Sequence, residues 1–260
     1  MSHFLALVIG QDWEEQLAPY QENTMGDCPK EYLEFFDMTE ETILDYQGSA
    51  PGVFTEDGEF LFQWDDRVKK LGLKDKVTDI LFTQSFPDFD TFVRKYCCYK
   101  LDPIYKKYGV WQNPNAKWDW YEPGGRWDDY FKVKPNVELS TSLLAKDINW
   151  KAMKDEKVKT ATAQWEQFIQ WLTQDPELRD PDMPFILNVR AADTNTDTGY
   201  ESFSEFMSHE TSTDPFVYIH KGVWHERSME EERDVWEAQF QTMLDSLEPT
   251  ELITVVDCHI

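Results

Sequence analysis

At 260 residues, with 41% apolar and 15% aromatic content, the chain has ample material for a substantial core in one large domain or two small ones. Its 50 Asp plus Glu against 25 Lys plus Arg leave a formal charge of −25. Such a surface repels phosphate backbones and acidic membranes, which argues against direct nucleic-acid binding and against a membrane partner.

No window of about 18 consecutive apolar residues occurs. The segment MSHFLALVIGQDWEEQ has neither the basic leader nor the small-residue cleavage site of a signal peptide, so a soluble, unprocessed, cytoplasmic protein is expected. Cys28, Cys97, Cys98 and Cys258 show no C-x-x-C spacing and are expected as free thiols.

In chain order, HFLALVIG (3–10) reads as a central strand buried on both faces, followed by a short acidic helix at DWEEQL. KEYLEFFDM (30–38) alternates like a strand, and Thr39 is placed to cap a helix through EETILDY that stops at Gly48. SAPGVFTEDGEF is loop by composition. Phe89, Phe92, Val93, Tyr96, Tyr99 and Leu101 fall at three- and four-residue steps, which predicts a helix from Asp88 to Tyr108 interrupted near Pro103. WDWY and WDDYFKVKP then read as two strands of a hairpin turning at Pro123-Gly124-Gly125.

Asp155 to Thr173 is the clearest helix, with Val158, Ala161, Trp165, Phe168, Ile169 and Leu172 on one stripe. FILNVRA (185–191) and FVYIHKG (216–222) read as strands around a polar excursion. SMEEERDVWEAQFQTMLDSLE is a helix with Val235, Phe240, Met243 and Leu247 inward, and ELITVVDCHI is a closing strand. The expectation is one α+β domain over 1–260, a ferredoxin-like sheet with helices on one side and insertions at about 39–110 and 192–215.

The segment NPNAKWDWYEPGGRW (113–127) gathers the chemistry of a ligand site. Trp118, Trp120, Tyr121 and Trp127 offer flat faces for stacking. Arg126 offers a fork for phosphate or carboxylate, and Gly124-Gly125 lets backbone N–H groups approach an anion. Asn113, Asn115 and Lys117 would stand at the mouth. In a hairpin, Trp118 and Trp120 share one face and Asp119 and Tyr121 the other. The bland alternative makes the tryptophans core, pairs Asp119 with Arg126 and leaves the glycines as a turn.

The histidines form a second set. His3 begins the first strand and His259 ends the last, and a ferredoxin-like sheet brings those strands close; Asp257 and His259, two apart, share a face. Such a group suits acid–base chemistry or, alternatively, a divalent cation; no other cofactor is expected. His220 and His225 join it only if the KGVW loop folds back. Nucleophile-elbow, phosphate-loop, dinucleotide-binding and zinc-cysteine signatures are missing from the sequence.

The combination of HFLALVIG, LAPYQENT, NPNAKWDWYEPGGRW and TVVDCHI resembles a protein family of bacteriophages and prophages. Its central motif reads N-P-x-x-K-W-D-W-Y-x-x-G-G-R-W, matched at Asn113, Pro114, Lys117, Trp118, Asp119, Trp120, Tyr121, Gly124, Gly125, Arg126 and Trp127. The resemblance implies a context rather than an activity: phage accessory proteins counter host defence, one strategy being to sequester or degrade a nucleotide signal of the infected cell. Three expectations follow. The first is binding of a nucleotide-derived small molecule through the central motif. The second is a phosphodiesterase or hydrolase using His3, Asp257 or His259. The third is an acidic, DNA-mimicking inhibitor of a host protein. A homo-oligomer is compatible with all three.

Overall fold

The sheet is built around strand β1 (His3–Ile9), in the computed structural model that describes residues 3–175, 177, 203–228 and 233–260. Its run of Phe, Leu, Ala, Val and Ile has apolar residues on both faces, as a strand covered on both sides requires. Helix α1 (Trp13–Leu17) follows and buries Leu17.

The chain divides into two compact units, residues 22–116 being inserted into a unit made of 1–21 and 117–260. The inserted unit contains β2 (Glu34–Asp37), α2 (Thr39–Tyr46), β3 (Ser49–Phe54), β4 (Phe60–Phe62), α3 (Asp66–Lys70), β5 (Thr78–Leu81), α4 (Phe82–Ser85), α5 (Phe89–Lys95), β6 (Lys100–Leu101) and β7 (Tyr108–Gln112). They form two antiparallel three-stranded sheets, β2-β7-β6 and β4-β3-β5. An aromatic cluster of Phe82, Phe92, Tyr46, Phe86 and Phe89 packs with Ala50 and Val93.

Three expectations change here. SAPGVF is the central strand β3 rather than loop, with Gly52 required because a Cβ would stand 2.4 Å from the Phe60 ring. The helix starting at Phe89, capped by Asp88 accepting from the Thr91 N–H at 2.7 Å, stops at Lys95, and Cys98 then takes a left-handed φ of 60°. Strand β2 is shorter than the predicted 30–38, since Lys30–Tyr32 form a 3-10 turn.

The first unit resumes with β8 (Trp120–Pro123), β9 (Ser142–Leu144) and the long α6 (Trp150–Leu172), whose start is fixed by Asn149 accepting from the Ala152 N–H at 3.0 Å. Then come α7 (Phe203–Glu210), β10 (Val217–His220), β11 (Val223–Glu226), α8 (Arg233–Asp245) and β12 (Leu252–His259). The expected strand FILNVRA lies outside the described residues. Strand order is β11-β10-β1-β12-β8, with β9 pairing the other end of β12. β1 runs parallel to β10 and antiparallel to β12.

The chain is thus mixed α+β. A ferredoxin-like sheet would set the second strand of the hairpin beside β1; here the first, β10, lies there and β11 is outermost. One face of β1 and β12, carrying Leu5, Leu7, Ile9, Ile253 and Val255, is covered by Met153 of α6 and by Trp236, Phe240 and Met243 of α8. The other, with Ala6, Val8, Val256 and Cys258, packs on Leu17 and Trp118. Val158, Ile169 and Val235, expected inward, are instead exposed, because the contact stripes run through Ala161, Phe168 and Trp171 on α6 and through Trp236 on α8.

Candidate active site

Cross-strand register assembles the site. His3 of β1 is the Cα partner of His259 of β12, and His259 is in turn the partner of Trp120 of β8. One step along, Leu5, Asp257 and Glu122 form the next row. Directly opposed residues project to the same face, so these two rows continue the helix-covered face of the sheet to the end where polar groups replace Val255 and Leu5.

The two imidazoles meet edge to face, with ring centroids 4.9 Å apart. Each is held by its own carboxylate: His3 Nδ1 lies 2.7 Å from Asp257 Oδ1, and His259 Nδ1 lies 2.6 Å from Asp119 Oδ1. An ionised carboxylate only accepts, so in each pair the Nδ1–H donates and Nε2 remains for proton traffic. Among the described residues neither Nε2 has a hydrogen-bond partner.

Asp257 is 2% exposed, and burying a carboxylate is tolerable only when its oxygens are satisfied. Its second oxygen accepts the Arg126 backbone N–H at 3.1 Å, with Arg126 Nε 4.0 Å away. The turn that delivers this N–H explains the glycine pair. Gly124 and Gly125 have φ of 72° and 52°, and a Cβ on Gly125 would stand 2.5 Å from Asp257 Cβ and 2.7 Å from its Oδ2. The glycines therefore close onto a carboxylate of the protein itself.

The hairpin expected across Pro123-Gly124-Gly125 does not form. Strand β8 pairs with β12, Gly125–Trp127 is a 3-10 turn, and 128–132 is not a strand. The alternation across the motif is also broken, by a bend at Asp119. Trp118 is core, 4% exposed, donating its Nε1–H to the Leu17 carbonyl at 3.1 Å; Tyr121 packs against it at 5.1 Å. Burial and the Glu14 carboxylate beside it push the Tyr121 hydroxyl upward in pKa. Trp120 is 49% exposed and stands edge-on to His3 at 6.0 Å.

Asp119 is thus spent on His259 and not on Arg126, whose side chain is 63% exposed. Lys117 pairs with Glu226 of β11 at 3.0 Å, and Trp127 packs against the helical core. Asn113 belongs to the inserted unit, where it is buried and accepts the Asn115 N–H at 2.9 Å. His220 and His225 do not join the pair. His220 is the partner of Ile9, six residues along β1 from His3 or about 20 Å of strand, and His225 stacks on Tyr218 at 4.5 Å.

One residue and one pairing are not evident from the sequence. Asp119 was seen as a motif carboxylate but not as the partner of His259. Glu122, exposed and on the face of Asp257, was not singled out, although its two-residue spacing from Trp120 on β8 was available as a signal. Cys258, between Asp257 and His259, projects to the opposite, buried face, and burial pushes its thiol up to about 12. It is no nucleophile for this site.

Comparison with protein-family models, curated proteins and solved structures returns no match. The geometry therefore stands by itself. Among the described residues no group of three or more His, Cys, Asp or Glu side chains is arranged to hold a metal ion, and no helix is long and apolar enough to cross a membrane.

Proposed function

We propose that the chain cleaves a phosphoryl ester bond in a nucleotide-derived small molecule by general acid–base catalysis at His3 and His259. The observation that carries this reading is the pair of imidazoles in edge contact, each fixed at Nδ1 by a separate carboxylate and each with Nε2 unengaged. One ring in the neutral form can take a proton while its protonated neighbour gives one. Asp257 and Asp119 hold tautomer and orientation. The exposed Arg126 guanidinium is the anion contact, and the half-exposed ring of Trp120 is a stacking surface for a base.

The resemblance of the central motif to a phage and prophage family supplies the context we propose with it: action in the cytoplasm of an infected bacterium on a nucleotide signal of antiphage defence. Incubation with cyclic di- and oligonucleotides and ADP-ribose derivatives, followed by chromatography, tests cleavage. Turnover that disappears in His259→Ala supports it, and recovery of every compound intact overturns it.

Sequestration without turnover is the second reading, favoured by the exposure of Trp120 and Arg126 together. It predicts calorimetric heat with a nucleotide that is afterwards released unchanged. The acidic-inhibitor reading rests on the charge of −25 alone and predicts a protein partner lost steeply with added salt.

A further inference from the structure

We infer, resting on the acid–base reading above, that the substrate supplies its own nucleophile: the site takes a phosphodiester with a free hydroxyl on the adjacent ribose carbon and cleaves it by transesterification.

Three features of the site lead there. First, both carboxylates closest to the imidazoles are engaged, Asp257 by His3 and the Arg126 N–H, Asp119 by His259, so neither stands ready as a nucleophile or as a base for water. The thiol nearest in sequence, Cys258, is on the far face of the sheet. Second, two imidazoles with free Nε2 atoms give one proton acceptor and one donor side by side, which is what an internal displacement needs. Third, carboxylates outnumber guanidinium groups on this face. The exposed Arg126 side chain, Nε 4.0 Å from Asp257, is set against Asp257, Asp119 and the exposed Glu122, the cross-strand partner of Asp257. A monoanionic diester meets less repulsion there than a dianionic monoester does.

The step balances without a co-reactant. One imidazole removes the proton of the 2′-hydroxyl as O2′ bonds to phosphorus. The bond from phosphorus to the 5′-oxygen breaks, and the other imidazole protonates that oxygen. The products are a 2′,3′-cyclic phosphate and a free 5′-hydroxyl, and the proton has passed from one ring to the other; exchange with solvent resets the pair. Trp120 beside His3 is placed to stack one of the two bases.

The test uses the full chain with 3′,5′-linked ribodinucleotides of all base combinations and their 2′-deoxy counterparts, followed by chromatography and phosphorus NMR. We expect ribodinucleotides to give the cyclic phosphate and the deoxy compounds to remain intact, with His3→Ala and His259→Ala each slower by about 10²–10⁴-fold. His259→Gln, prepared identically and checked by near-ultraviolet circular dichroism, guards against misfolding and contaminating nuclease; unchanged cleavage by this folded variant overturns the inference. Cleavage of ribo and deoxy compounds alike, with oxygen from labelled water in the phosphate, overturns self-supplied attack while leaving acid–base hydrolysis standing. No cleavage of any diester, here or among the cyclic nucleotides, removes both readings.

Discussion

His3 and His259 are direct partners on adjacent antiparallel strands, and each is backed by a carboxylate from a different part of the chain: Asp257 from β12, Asp119 from the bend before β8. Two separately supported imidazoles predict two separable losses. Asp119→Asn leaves a neutral amide beside His259 that no longer enforces one tautomer. It is expected to lower kcat by about 10²–10⁴-fold with KM little changed, as for a residue that positions a base without touching substrate. Steady-state kinetics on a cleaved dinucleotide checks it; a change confined to KM would place Asp119 in ligand binding instead.

Trp118 and Trp120 stand two residues apart in one motif and should respond oppositely. Trp118→Ala empties a core position and removes the hydrogen bond to the Leu17 carbonyl, so a loss of about 3–5 kcal/mol in urea unfolding is expected. Trp120→Ala, at a half-exposed ring, should cost about 1 kcal/mol or less while weakening nucleotide binding measurably by calorimetry.

Gly125→Ala tests the closeness of the turn to Asp257. A methyl group there has both a left-handed backbone and a 2.5 Å contact against it, so the carboxylate or the turn must move. The expected outcome is destabilisation of about 1–3 kcal/mol together with loss of turnover, read from unfolding midpoints and kinetics on the same preparation.

The thiols should sort by exposure and by thiolate content. Burial raises Cys97 to about 11 and Cys258 to about 12, so at pH 8 neither has an appreciable thiolate fraction. Native labelling with iodoacetamide, read by mass spectrometry, should mark the exposed Cys98 first and spare Cys258 until the protein is unfolded.

The elements legible in the sequence are those whose periodicity and burial agree. HFLALVI, the α6 helix, VYIH and LITVVDCH declare themselves, and with them the closeness of His3 to Asp257 and His259. SAPGVF was misread because Pro51 and Gly52 are composition signals for loops, while the strand is held by partners on both sides and by a ring lying over the glycine. The central motif was misread for a related reason. Its strand is completed by β12, so the Asp119–His259 contact spans 140 residues, and the bend at Asp119 that puts Trp118 and Trp120 on opposite faces is not written in the local alternation. The insertion expected at about 39–110 lies within the unit 22–116, whose margins carry no composition shift to mark them.

The His3–Asp257 contact joins residues 254 positions apart. During synthesis, a nascent chain extended as far as Pro249 holds one imidazole without its carboxylate and Asp119 without its imidazole. Both imidazole–carboxylate pairs are therefore complete only once β12 is paired beside β1. A variant without β12 is expected to be inert in the cleavage assay rather than partly active.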